Sequence, residues 1–357
     1  MSTPYEDGQL YLALLFLLSN AVLVVYLGSK RLLQQTIKMK NSGTRPDDVM
    51  STSDAMALPL MGSMVLFTLY VILKFIPLEY FNAIISLYLS LVGIFSMGSF
   101  IKGFMRPNIL TGIACCIVGG YYYWTNNWVA NNILAISIGV LSIEMVQIGS
   151  FSTSFVMLLG LFFYDIFWVF GSDVMITVAS GINGPIKLVF PRTVFENQEA
   201  KSLLGLGDLI IPGFFIAQVL VFSTEYVKKG NFYFYVSLIA YTLSLVNTMA
   251  VMIIFEHGQP ALLFIVPWLL VTFVLATIIK GDFNAAMKYT SSEVIQSSSK
   301  STEKKKDDNK SLHESLEELS LTTLLWSAIQ VLFGLKHEEE KEKEKESQEN
   351  TEEKKNN

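Results

Sequence analysis

Apolar residues along this chain gather into long unbroken runs separated by short polar gaps, with little alternation of period two and no one-sided helical stripe. A helix needs roughly 20 apolar residues to cross the hydrocarbon core of a bilayer. Nine runs come near that length, at about 10–27, 57–77, 80–100, 109–123, 129–148, 152–172, 203–223, 233–254 and 260–279. The fourth is the weakest, being short and rich in Gly and Tyr. The pattern predicts an all-α polytopic membrane protein with nine transmembrane helices.

Charge refines this picture. Of 357 residues, 52% are apolar, and the net charge of -5 resides wholly in residues 291–357. The expected organisation is therefore a nine-span membrane domain over 1–290 and a charged, mostly disordered cytosolic tail over 291–357, whose Lys/Glu runs bury too little apolar surface to fold. Within the tail, LTTLLWSAIQVLFGL at 321–335 is too short to span and reads as an interfacial or partner-docking helix. The leader before the first span carries Glu6 and Asp7 and no base, unlike a cleavable signal.

Positive-inside logic places the cluster Lys30, Arg31, Lys38, Lys40 and Arg45 in the cytosol and the N-terminus outside. Alternation then puts Lys102 and Arg106, Lys228 and Lys229, and the tail from Lys280 on the cytosolic side as well. The lumenal 173–202 loop dissents with Lys187, Arg192 and Lys201, balanced by Asp173, Glu196 and Glu199. Lys354 and Lys355, three and four residues from a cytosolic C-terminus, resemble a dilysine endoplasmic reticulum retrieval signal.

Several chemistries fall away. Cys115 and Cys116 are adjacent and diverge on a helix, which disfavours a mutual disulfide. Three histidines, His257, His313 and His337, form no HExxH motif and no Cys/His cluster, so no metal is expected. No cofactor motif is present, and no basic stripe with interleaved aromatics suggests nucleic acid.

Ionisable residues deep in a span cost roughly 2.5–3.5 kcal/mol each on insertion scales. Lys74 and Glu144 lie near span ends and can snorkel. Asp165 and Asp208 lie deeper. Spans six and seven run antiparallel, and both aspartates fall roughly 9–11 Å below the same membrane surface at 1.5 Å per residue. Two close carboxylates in low dielectric cannot both ionise, so one keeps a proton. The ionised member can then activate a water while the protonated member donates to a carbonyl under attack. From the acids alone, a proton or cation pathway is the stronger reading.

The flanking residues reverse that preference. Tyr164-Asp165 in LFFYDIFWVFG, Gly205-Leu206-Gly207-Asp208, and Pro260-Ala261-Leu262 resemble, in order, the YD, GxGD and PAL motifs of the presenilin and signal peptide peptidase family. The stretches GPIKLVFP at 184–191 and SLLGLGDLIIPG resemble its signal peptide peptidase branch. The resemblance covers about residues 50–285. Gly205 and Gly207 lack a Cβ, so backbone can approach Asp208 closely. Pro260 suits the first turn of span nine. The run at 184–191, bounded by Gly184, Pro185 and Pro191, reads as extended, with an edge able to pair with an unwound substrate.

The resemblance implies an intramembrane aspartyl endopeptidase with Asp165 and Asp208 catalytic and Tyr164, Gly205, Leu206, Gly207, Pro260, Ala261 and Leu262 in support. Water must reach both aspartates, which predicts a polar cavity between spans six, seven and nine. The expected partners are signal-peptide remnants and other type II transmembrane segments, membrane lipid, and endoplasmic reticulum degradation machinery; the sequence does not choose between a monomer and a homo-oligomer. The expected address is the endoplasmic reticulum membrane, N-terminus lumenal and C-terminus cytosolic. A transporter and a non-catalytic binder of misfolded membrane proteins are the rival readings, and neither needs all three motifs.

Overall fold

The computed structural model of the protein describes residues 4–42, 49–103, 108–171, 182, 184–191, 201–255, 259–291 and 294. The 321–335 segment, Lys354 and Lys355 lie outside the described residues, as does nearly all of the expected tail.

Nine long helices follow one another: α1 (Pro4–Ser42), α2 (Thr52–Phe75), α3 (Leu78–Lys102), α4 (Ile109–Thr125), α5 (Trp128–Met145), α6 (Phe151–Gly171), α7 (Gly207–Val221), α8 (Phe232–Phe255) and α9 (Leu262–Ile279). A π-helical turn, Phe222–Tyr226, prolongs α7, and a short helix α10 (Phe283–Lys288) follows α9. Among the described residues, eight helices are long and apolar enough to cross a membrane, with α7 counted together with its π turn. The ninth, α4, has 17 residues, at the lower limit for a span. The chain is thus an all-α polytopic membrane protein, with the fourth span as the weak one.

Two boundaries differ from the sequence expectation. Span one does not stop near residue 27: α1 continues for 39 residues to Ser42, because Lys and Arg are good helix formers and nothing breaks the helix where it leaves the apolar zone. Lys30, Arg31, Lys38 and Lys40 therefore sit on helix rather than in a loop. Span seven does not begin at 203. Residues Lys201–Gly205 form strand β4, antiparallel to β3 (Lys187–Pro191), and the helix starts only at Gly207. A second two-stranded pairing joins Val49–Met50, β1, to Gln147–Ile148, β2.

The core gathers around α7, against which α1, α5, α6, α8 and α9 all pack, while α2 leans on α6 and α3 with α4 leans on α5. Small residues allow the close approach. A Cβ on Gly28 of α1 would lie 2.7 Å from the side chain of Ile143 on α5, and one on Gly213 of α7 only 2.5 Å from it. Ile143 is thus pinched between two glycines of neighbouring spans.

Polar side chains stitch the bundle at selected points. Arg31 is buried against α3 and α5: it pairs with Glu144 at 3.3 Å, donates to the carbonyls of Ser99 and Phe100, and stacks over the Phe100 ring. Glu144 is therefore an ion-pair partner rather than a snorkelling acid, whereas Lys74 is exposed in the last turn of α2 as expected. Cys115 is buried and Cys116 exposed, both as free thiols.

Candidate active site

Asp165 sits in the last third of α6 and is buried. Asp208 is the second residue of α7 and half-buried. Their carboxyl groups are close enough to interact electrostatically, although α6 and α7 touch only along a short stretch. The start of α9 bridges them. Pro260 precedes the helix rather than occupying its first turn; Ala261 is the N-cap and α9 begins at Leu262. The first backbone N–H groups of a helix lack intrahelical acceptors and carry partial positive charge. One of them, on Leu262, donates to Oδ2 of Asp165 at 3.0 Å.

Asp208 is held differently. Its backbone carbonyl accepts the Tyr241 hydroxyl at 3.1 Å from the fully buried tyrosine of α8. A Cβ on Gly205 would lie 3.5 Å from Oδ2 of Asp208, an ordinary contact distance, so the end of β4 runs directly beside the carboxyl. Leu206 makes the corner: its N–H donates to the Ile186 carbonyl, continuing the β3–β4 ladder, and its own carbonyl accepts from Leu209 and Ile210 to start the helix. Asp208 is therefore the acid at a strand-to-helix junction, not a residue six positions into a span.

Tyr164 lies close enough to Asp165 to feel its charge, and its ring also faces α2. Its ring packs on Gly62 of α2, where an added Cβ would come within 3.4 Å. The same interface holds Gly160 under Pro59 and a bond from Trp168 Nε1 to Ser63 Oγ. Tyr164 fixes α6 against α2.

A cavity of about 270 Å³ reaches Asp208. It is lined by β4, by Leu14 and Leu17 of α1, by Leu245, Thr248, Met249 and Met252 of α8, and by Gln259 and Ala261. It therefore lies among span one, span eight, β4, Asp208 at the start of span seven and the segment that leads into span nine, and much of its wall is Leu and Met.

The sheet departs from expectation in a second way. Within the 184–191 run, residues Lys187–Pro191 are extended while 184–186 form a turn, and the far edge of the strand is occupied. Asn131 Nδ2 donates to the Lys187 carbonyl at 2.8 Å, Asn132 Nδ2 donates to the Val189 carbonyl at 2.7 Å, and the Val189 N–H donates to Asn132 Oδ1 at 2.8 Å. Burial, with Lys201 nearby, pulls the Lys187 ammonium below the usual lysine range. The edge of the hairpin left over belongs to β4.

Asn131, Asn132, Tyr241 and Gln218 are residues the motifs do not reveal. Gln218 of α7 is buried and accepts the Ser154 hydroxyl of α6. It lies ten residues beyond Asp208, about 15 Å along the helix, and gives α6 and α7 a second polar contact. The signal available for all of them is a polar group inside an apolar span, which is rarely idle. Among the described residues, no group of three or more His, Cys, Asp or Glu could hold a metal ion.

The family described as signal peptide peptidase matches residues 100–293 of the chain. A human protein named signal peptide peptidase is 34% identical over 329 residues, covering 82% of this chain and 86% of its own length. A probable intramembrane protease of Schizosaccharomyces pombe is 32% identical over 289 residues, 77% of this chain and 93% of its own. Intramembrane protease 2 of Caenorhabditis elegans is 40% identical over 208 residues, 54% of this chain and 44% of its own.

Proposed function

The chain belongs to the signal peptide peptidase family, and on that premise we propose that Asp165 and Asp208 are the water-activating pair with which it cleaves type II transmembrane segments, signal-peptide remnants among them. It is a multi-pass membrane protein and an intramembrane protease by family. The observation that carries the assignment of the pair is their junction at the PAL segment: the Leu262 N–H donates to Asp165, and the preceding Ala261 lines with Asp208 the same cavity.

The pair shares one proton, since two adjacent carboxylates resist double ionisation. The ionised member takes a proton from water as its oxygen attacks the scissile carbonyl. The protonated member gives its proton to the carbonyl oxygen. Collapse of the tetrahedral adduct expels the amine, which takes a proton from one aspartate while a hydroxyl of the adduct returns its proton to the other, so the peptide bond is hydrolysed without a covalent intermediate and the pair again holds one proton. The Leu262 N–H orients Asp165 through these steps. Tyr164 and Pro260, with Ala261, hold α6 and α9 in place, while Gly205, Leu206 and Gly207 turn the strand into the helix beside Asp208.

A helical peptide bond hides its carbonyl, so a substrate must unwind, and strand addition holds the unwound form. The bonds from Asn131 and Asn132 favour β4 over β3 as the receiving edge. β4 lines the cavity and leads directly to Asp208. An endoplasmic reticulum membrane address with a lumenal N-terminus and cytosolic tail is supported by the basic residues of α1 and by Lys354 and Lys355.

Purified protein in lipid, given a synthetic type II transmembrane peptide, should release product, and Asp165→Ala and Asp208→Ala should release none above background. Substantial product from both folded variants would refute the pair.

A further inference from the structure

Two adjacent asparagines in the first turns of a membrane span call for a physical reason. Asn131 and Asn132 are 5% and 4% exposed, and a buried amide without partners is costly. Apolar side chains would fill the same space without that risk. What the amides do is bond to strand backbone.

The geometry resembles a missing third strand. Asn132 gives a donor to the Val189 carbonyl and an acceptor to the Val189 N–H, as a neighbouring peptide group would. Asn131 gives a donor to the Lys187 carbonyl, two residues along the same edge, and a second, longer bond at 3.3 Å to Asn132 Oδ1. Neighbouring residues on a helix diverge, so the two amides reach points about 7 Å apart on an extended chain.

The pairing register shows which groups are involved. The Leu206 N–H donates to the Ile186 carbonyl, and Leu188 pairs with Leu204 and Phe190 with Ser202. By antiparallel alternation these pairs exchange the ladder bonds, while Lys187 and Val189 on β3, and Leu203 and Gly205 on β4, direct their backbone groups outward. The outward groups of β3 are those the asparagines take. The outward groups of Leu203 and Gly205 have no hydrogen-bond partner among the described residues, and both residues line the cavity with Asp208.

We propose that Asn131 and Asn132 are positioning residues that close the outer edge of β3 and lock the register of the hairpin, so that substrate adds only to β4 and presents one peptide bond to the aspartates. This rests on the proteolytic reading of Asp165 and Asp208 and deepens it. A slip of one residue moves a strand by about 3.3 Å and turns its side chains to the opposite face. Productive attack requires reacting atoms within about 3–3.5 Å. A loosened clamp therefore changes which bond is cut, an effect that general loss of stability does not produce.

The test uses the full chain in lipid and a synthetic type II transmembrane peptide, with product masses, kcat, KM and melting temperature read together. Asn132→Leu removes both bonds to Val189. It should yield products shifted by one or two residues beside the wild-type product and lower kcat about tenfold, with KM moving less. Asn131→Leu removes the bond to Lys187 and should shift fewer products. Restoring an amide at the same place with Asn132→Gln should narrow the product set again. Folded Asn132→Leu that cuts only at the wild-type bond overturns the proposal, even with reduced turnover. If Asn132→Leu does not fold, the same criterion applied to Asn131→Leu decides. A wild-type chain that leaves the peptide uncut overturns the proteolytic reading first, and this proposal with it.

Discussion

The backbone N–H of Leu262 donates to the Asp165 carboxylate at 3.0 Å, so the first residue of α9 is tied to an acid of α6 that lies 97 positions earlier. Two substitutions separate this bond from the chemistry. Asp165→Asn retains an oxygen that can accept the Leu262 N–H but cannot act as acid or base. Asp165→Ala loses both. Each should be inactive. A buried hydrogen bond contributes about 1 kcal/mol, which in a chain of this size corresponds to a melting temperature about 1–2 °C higher for the Asn variant. Equal melting temperatures in the same detergent would show that the bond does not hold α9 in place.

Gly207 immediately precedes Asp208, and a Cβ built there meets nothing within 4 Å. A methyl group would project into open space beside the acid rather than into protein. Gly207→Ala should therefore leave the melting temperature unchanged or slightly raised, since Ala suits a helix better than Gly. If that space is the substrate's path, kcat/KM should drop about tenfold or more, a barrier increase of at least about 1.4 kcal/mol. Kinetics indistinguishable from wild type would move the substrate to another side of Asp208.

The contrast between these residues shows what was legible in the chain. Spans announce themselves by apolar length, and the YD, GxGD and PAL motifs point to Asp165, Asp208 and Leu262, of which the structure bonds Asp165 to Leu262. Strand β4 was not legible. Its last three residues, Leu203 to Gly205, are apolar enough to pass for the first turn of span seven, and their extended form depends on pairing with β3. The end of α1 was obscured for a different reason: basic residues mark where apolar sequence stops, not where helix stops. Asn131, Asn132, Gln218 and Tyr241 bond to groups far away in sequence, so only the oddity of an amide or a fully buried hydroxyl in a span hints at them.

Arg31 and Glu144 test the opposite end of α5, about 20 Å from Asn131. Arg31 serves Glu144 and two carbonyls of α3, and its side chain is 9% exposed against 27% for Glu144. Arg31→Ala leaves all of these acceptors short of a donor and should cost about 3–5 kcal/mol. Glu144→Gln keeps an acceptor for Arg31 and should cost about 1–2 kcal/mol. Melting temperatures give the order, and the folded fraction of either variant should cleave within about twofold of wild type because neither residue touches the cavity. A larger loss for Glu144→Gln than for Arg31→Ala would contradict the assignment of Arg31 as the hub.

The segment that follows α9 is strapped back onto the bundle at the end remote from Asp165. Tyr289 is 2% exposed, with its ring 5.2 Å from Phe151, 5.5 Å from Phe222 and 5.3 Å from Tyr226. The Ser291 N–H donates to the Gly149 carbonyl at 2.8 Å, and Lys229 pairs with Asp282 at 2.6 Å. Phe151 opens α6, so the strap holds the base of the helix whose far end carries Asp165. Emptying such an aromatic site by Tyr289→Ala should cost about 3–5 kcal/mol and lower the melting temperature by several degrees. A chain ending after 301 should melt and cleave like the full-length protein, because the contacts through Val294 remain. A chain ending after 281 should lose stability and activity together, since the base of α6 then keeps its contacts to α7 and α9 but loses those of Tyr289 and Ser291. Full activity in the 281 chain would show that α6 is held by α2, α7 and α9 alone.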